Sequence, residues 1–194
     1  KKEPVLQDIS FRVRAGETLA IVGVTGAGKT TLMHLLERFH QPQHGSILLD
    51  GIDIRDLDLP WLRSQVGMIM QDVFLFAGRL RENIALDRNL PPEELERIAE
   101  LAHLQDLVSR LPGRLDAKVH EGGVTLSTGQ RQLLAIARAM AYDPKVLILD
   151  EATEGLAPRI RALIWACLSK LKASGLSILV IDKNLDALMK IADC

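Results

Sequence analysis

Gly23-Val24-Thr25-Gly26-Ala27-Gly28-Lys29-Thr30 constrains this chain more than any other stretch. It fits the pattern G-x-x-x-x-G-K-[ST]. It follows the apolar run Thr18–Val22 and precedes the helical run Thr31–Phe39. A strand that passes through a glycine-rich turn into a helix is the setting in which this pattern cradles phosphate. Glycines let backbone N–H groups turn inward around an anion with no side chain in the way. A helix starting near Lys29 aims the positive end of its dipole at the same anion. Lys29 is placed to reach β- and γ-phosphates, and the Thr30 hydroxyl to bind Mg²⁺. The predicted phosphate site is Gly23, Thr25, Gly26, Ala27, Gly28, Lys29, Thr30 and Thr31. A lone glycine-rich turn would say little; the Lys-Thr pair and the flanking elements make the pattern specific.

Two more apolar runs, Lys145–Leu149 and Leu176–Ile181, read as buried parallel strands beside Thr18–Val22, each followed by a turn and helical periodicity. That repetition predicts an α/β fold built from βαβ units. Gly45–Ile54 carries Asp50-Gly51 between apolar residues and predicts a β-hairpin. Pro91–Arg110 predicts one helix from the spacing of Leu95, Ile98, Leu101, Ala102 and Leu107. A second fits Gly129–Tyr142 and stops before Asp143-Pro144.

Composition narrows the function classes. The 194 residues suit one domain, or one with a small subdomain. Lys and Arg number 24 against 25 Asp and Glu, so the totals show no polyanion-binding surface. With 4% aromatic residues, a stacking platform for single strands is not expected, and nucleic acid is not a predicted partner. Cys167 and Cys194 make neither a disulfide framework nor a metal-ligand spacing, which fits a reducing compartment. No apolar run approaches the roughly 20 residues needed to span a bilayer, and Lys1–Asp8 lacks a secretory stretch. A cytoplasmic location is expected, on the membrane's cytoplasmic face when a membrane partner is present.

Asp150-Glu151 closes the run Val146–Leu149. Carboxylates at the carboxyl end of a buried strand lie on the ligand-binding edge of an open α/β sheet. Asp150 can hold Mg²⁺ directly or through water, and Glu151 can accept a proton from an attacking water. Without the phosphate loop, the pair would read as solvated acids in a turn.

Leu126-Ser127-Thr128-Gly129-Gln130-Arg131-Gln132 resembles the LSGGQ signature of ATP-binding-cassette (ABC) ATPases, with Thr128 in place of one Gly. Ile136-Ala137-Arg138-Ala139 and Asp150-Glu151-Ala152-Thr153 follow in the family's order, and Gln71 after Val66–Met70 matches its Q-loop glutamine. The resemblance covers nearly the whole chain. It implies a P-loop NTPase (RecA-like) parallel sheet core with a β-hairpin region and a helical signature subdomain at residues 72–135. It also implies ATP and Mg²⁺ as ligands and a head-to-tail dimer around two ATP molecules. Ser127, Gly129 and Gln130 would contact the γ-phosphate held by the phosphate loop of a second ATP-binding domain, identical or different. Gln71 would contact Mg²⁺ and the attacking water, giving Thr30, Gln71 and Asp150 as metal contacts and Lys29, Gln71 and Glu151 as the hydrolytic set. Ser127 also reads as an ordinary helix N-cap, and both roles are compatible. Gln71-Asp72-Val73-Phe74-Leu75-Phe76 with Ile84, and Val119–Gly123 with Glu121, resemble the exporter branch, where they face the transmembrane domain.

Four features depart from the family pattern. No aromatic precedes Phe11, where an adenine-stacking residue is expected upstream. Ala157 stands where the family carries Asp, and Lys183 where it carries a switch histidine. Lysine offers charge but no acceptor. The chain also stops at Cys194, where further strands would follow, so it is expected to be short of the family fold at both ends. Glu154–Pro158 and Ser177–Leu188 are similar to ATPases of branched-chain amino-acid importers. A hybrid sequence with a seam near Ala152–Glu154 is therefore expected, although one divergent family would give the same pattern. The expected function is ATP hydrolysis powering a transmembrane partner. The alternative is a truncated or chimeric nucleotide-binding module with little or no turnover. A soluble ABC protein of DNA repair or translation fits less well, given the exporter-like Q-loop.

Overall fold

The computed structural model describes residues 5–24 and 26–193. Thr25, expected in the phosphate site, and Cys194 lie outside the described residues.

Four parallel strands form the central sheet in the order β1-β8-β7-β4. They are β1 (Thr18–Ile21), β4 (Val66–Ile69), β7 (Val146–Asp150) and β8 (Ser177–Ile181). Three match the predicted strands. The fourth, β4, forms from the apolar segment before Gln71. Side chains alternate between the two faces, as a pleated strand requires. Ile148, Leu179 and Ile181 face one core with Met33 and Leu62; these two lie on α1 (Lys29–Leu36) and α2 (Leu59–Gln65). Leu147, Leu149, Ile178 and Val180 face the larger core. That core is closed by α6 (Thr128–Met140) and α7 (Pro158–Ala173). Buried Cys167 of α7 belongs to it; burial pushes its thiol up to about 12, which keeps the group protonated and inert.

Between β1 and β4, β2 (Leu48–Leu49) and β3 (Ile52–Asp53) form the predicted hairpin. Asp50 and Gly51 both have positive φ, 52° and 83°, as a type I′ turn demands. Between β4 and α6 lie β5 (Gly78–Arg79), α3 (Leu80–Ala85), α4 (Pro92–Leu101), α5 (Gln105–Arg110) and β6 (Lys118–Val119).

The single helix expected over Pro91–Arg110 is two helices. His103 takes φ 53°, its N–H donates to Glu100 O (3.0 Å), and the Leu104 N–H donates to Ala99 O (2.8 Å). This is a Schellman ending with histidine in the place usually held by glycine. Apolar periodicity continues across the break because α4 and α5 both face the same core.

Candidate functional site

The phosphate loop enters α1 through Gly28, whose φ of 89° makes it the left-handed residue before the helix. Lys29 Nζ donates to the carbonyls of Gly23 (2.9 Å) and Val24 (3.1 Å), and lies 3.6 Å from Glu151 Oε1. Thr30 Oγ1 donates to Asp150 Oδ2 at 2.9 Å, joining the first turn of α1 to the end of β7. Glu151 has φ 49°, and its N–H donates to Ile181 O (2.9 Å) at the end of β8. A non-glycine residue in the left-handed region is uncommon and is held there by its surroundings.

These groups surround one cleft of about 270 Å³, lined by Val5, Gly26, Gly28, Lys29, Thr30, Thr31, Gln71, Asp150 and Glu151. It lies at the carboxyl ends of the parallel strands, where open α/β sheets hold ligands. One protein wall therefore presents an ammonium, the glycine-rich loop, a hydroxyl and two carboxylates. Among the described residues no group of three or more His, Cys, Asp or Glu converges on a metal site. The oxygen donors Thr30 Oγ1 and Asp150 Oδ2 fit Mg²⁺, which takes one or two protein oxygens and completes its shell with phosphate oxygens and water.

Ser127, Gly129 and Gln130 do not line this cleft. They form the start of α6, where Ser127 Oγ accepts from Gln130 N–H (3.2 Å) and Gln130 Oε1 accepts from Ser127 N–H (2.8 Å). That reciprocal capping box realises the N-cap expected of Ser127.

Three side chains near the cleft make contacts that were invisible in the sequence. Lys183 lies 3.5 Å from Glu151 Oε2 and donates to Glu154 Oε1 at 2.8 Å, so Glu151 stands between two ammonium groups. The Lys183 hydrogen bond holds the Glu154 carboxyl below its usual range and raises the Lys183 ammonium above its own. Asp182 accepts from Thr153 Oγ1 at 2.5 Å, tying the loop after Glu151 to the end of β8. Buried Gln132 donates to the carbonyls of Met70 (3.0 Å) and Gln71 (2.6 Å). A larger cleft of about 600 Å³ runs beside β5 and β6, away from these groups; its Arg79 and Arg81 are both paired with Asp116.

A sequence model of the ABC transporter family matches residues 6–154. The chain belongs to that family. It is similar to an uncharacterized ABC transporter ATP-binding protein, YwjA, of Bacillus subtilis. The two are 47% identical over 190 residues, covering 97% of this chain and 33% of that protein. An ATP-dependent lipid A-core flippase of Methylobacillus flagellatus is 41% identical, covering 94% of this chain and 32% of the flippase. Among solved structures, a bacterial Atm1-family ABC exporter with ATP bound superposes with a TM-score of 0.87 at 37% identity. That match covers 95% of this chain and 32% of the exporter. This chain thus spans about a third of the length of these relatives and is an ABC transporter ATP-binding domain, similar to that of the exporter. The B. subtilis match, at 97% coverage, runs through Ala152–Glu154, where a seam was expected. No helix among the described residues is long and apolar enough to cross a membrane.

Proposed function

We propose that this chain binds ATP with Mg²⁺ in the cleft between the phosphate loop and Asp150-Glu151 and hydrolyses it as half of a head-to-tail dimer. The whole chain acts as one ATP-binding domain, with residues 72–135 as its helical signature subdomain. The observation that carries this reading is the meeting of Lys29, Thr30, Gln71, Asp150 and Glu151 around one cleft.

Lys29 and the loop N–H groups bind the phosphate oxygens, and Thr30 and Asp150 hold the metal, with Gln71 beside them. Mg²⁺, when bound, neutralises charge on the β- and γ-phosphate oxygens. Glu151 orients the attacking water and takes its proton, through whichever carboxylate oxygen is freed from Lys29 or Lys183. Ser127, Gly129 and Gln130 act on the ATP of a second ATP-binding domain. Their place outside this chain's own cleft supports that role, since a helix start beside a glycine is an anion site that needs a facing half. A transmembrane partner receives the resulting motion at the cytoplasmic face of the membrane. Nucleic acid is not a partner.

The test is turnover per molecule as a function of protein concentration, with Glu151→Gln and Lys29→Ala beside it. The expected outcome is a rate that rises with concentration. Glu151→Gln keeps ATP binding and loses at least about 10²-fold in turnover, the least a general base contributes. Lys29→Ala weakens nucleotide binding itself. Unchanged turnover in Glu151→Gln excludes it as the base. A second reading, a chimeric nucleotide-binding module with little or no turnover, is favoured by one observation: Lys183 engages Glu151 and Glu154 together. Tight ATP binding with a flat, zero rate at every concentration would select it.

A further inference from the structure

The cleft and the signature sit on different elements, and one buried side chain spans them. Gln132 lies one turn into α6, 2% exposed. Its Nε2 donates to both Met70 O (3.0 Å) and Gln71 O (2.6 Å), while its Oε1 is buried with no partner among the described residues. A buried unpaired acceptor costs stability, so an apolar residue would serve packing better. What glutamine adds here is the paired donor. Its two targets lie just past the end of β4, on exposed residues with no ladder partner, and Gln71 lines the cleft. The other end of the link is rigid. The first turn of α6 is closed by its capping box, Arg131 Nη1 donates to Leu126 O (2.9 Å), and Gly129 is pressed against Ile160 of α7.

We propose that Gln132 is a positioning residue for Gln71: its amide pins the backbone of residues 70–71 to the signature helix, so the place of Gln71 in the cleft is set by the place of that helix. This rests on the reading that Gln71 serves hydrolysis. It adds that the two half-sites one chain contributes, its own cleft and the signature it offers a partner, are joined through this amide.

The test uses Gln132→Met, which keeps the side chain's length and removes both donors, with Gln71→Ala and the double variant. Gln132→Met is expected to lower kcat about tenfold with KM for ATP unchanged, the scale of a misplaced but present group. In the Gln71→Ala background it should lower kcat no further. Amide exchange should speed up at residues 71–73 and remain slow in β4 and α6. Gln132→Glu, which turns the donor into an acceptor facing two carbonyls, should act in the same direction and more strongly. The proposal is overturned if Gln132→Met turns over normally, if its effect multiplies with that of Gln71→Ala, or if exchange rises evenly across the fold. If Gln71→Ala alone leaves turnover unchanged, the hydrolytic reading of Gln71 fails; local exchange at residues 71–73 then still decides whether Gln132 pins this backbone.

Discussion

The phosphate loop and the signature helix both contain a required glycine, for opposite reasons. Gly26 has φ 85°, and no described residue beyond its chain neighbours lies within 4 Å of where a Cβ would stand. Gly129 has ordinary helical backbone, but a Cβ there would lie 2.2 Å from Ile160 Cγ2. In the loop, glycine answers to the conformation of its own backbone. In the signature, it answers to a residue 31 positions away, on the next helix. Local constraints can be read from a motif, whereas constraints of space depend on which elements the fold brings together.

Substituting these two glycines separates the two causes. Gly129→Ala should be the most damaging small change in this region, costing about 3 kcal/mol of stability because a methyl is forced into a filled contact. Ile160→Ala should rescue it: in urea unfolding, the double variant should be more stable than the sum of the two single losses allows. If the losses simply add, Gly129 is not held by Ile160 and the contrast with Gly26 collapses.

The helix behind the phosphate loop differs from the signature helix in charge as well. Glu37, at the end of α1, is 5% exposed. Burial raises its carboxyl from 4.5 to about 7, with Arg63 opposing the shift. The folded protein therefore binds this proton more tightly than the unfolded chain does. The associated stability is fully present below about pH 4.5 and is lost as pH rises through 7. At pH 8, above both values, a shift of that size costs about 3 kcal/mol. Glu37→Gln should recover most of that at pH 8 and little at pH 4.5, read from unfolding midpoints. Amide protection in α1 should follow the same pH trend in the unsubstituted chain. Protection around Gln132 should not, because its bonds are neutral.

Gly26→Ala comes next in size. An L-residue in the left-handed region costs about 1–2 kcal/mol, and Asn should cost less than Ala. Since no described residue beyond its chain neighbours packs against the Cβ position, no substitution elsewhere should rescue it. A rescuing neighbour found by screening would mean that the loop glycine also answers to packing.

This contrast also describes how much was legible in the sequence. The phosphate loop, the hairpin turn at Asp50-Gly51 and the strands β1, β7 and β8 each depend on residues within a few positions of one another, and each was predicted. The break at His103 was not, because a histidine at the end of a Schellman motif carries no glycine to mark it. The hold of Gln132 on residues 70–71 spans 61 and 62 positions. Arg138 bonds the carbonyls of Asn83 and Phe74 across 55 and 64 positions. Glutamine and arginine on a helix ordinarily read as solvent-facing, and only the packing of α6 against β4 and α3 turns them inward. Lys183 was noted as a departure from the family, but its bond to Glu154 needed the two loops to meet.

The smallest predicted effect tests whether a departure from the family pattern costs the signature side local stability. Ala157 is the N-cap of α7, with backbone angles of −58° and 143° that suit a capping residue, and it makes no side-chain cap bond. The helix it opens carries Ile160, the residue that presses on Gly129. Ala157→Asp would place a carboxylate where it can accept from the free N–H groups of the first turn, at the positive end of the helix dipole. The expected gain is about 0.5–1 kcal/mol, seen as a higher unfolding midpoint and slower amide exchange over residues 159–161. The gain should shrink as pH falls and the new carboxylate is protonated. A gain that persists in acid would not come from the charge. No gain at any pH would mean that the start of α7 is already held by its packing against α6, which would place this end of the molecule under the same control by space as Gly129.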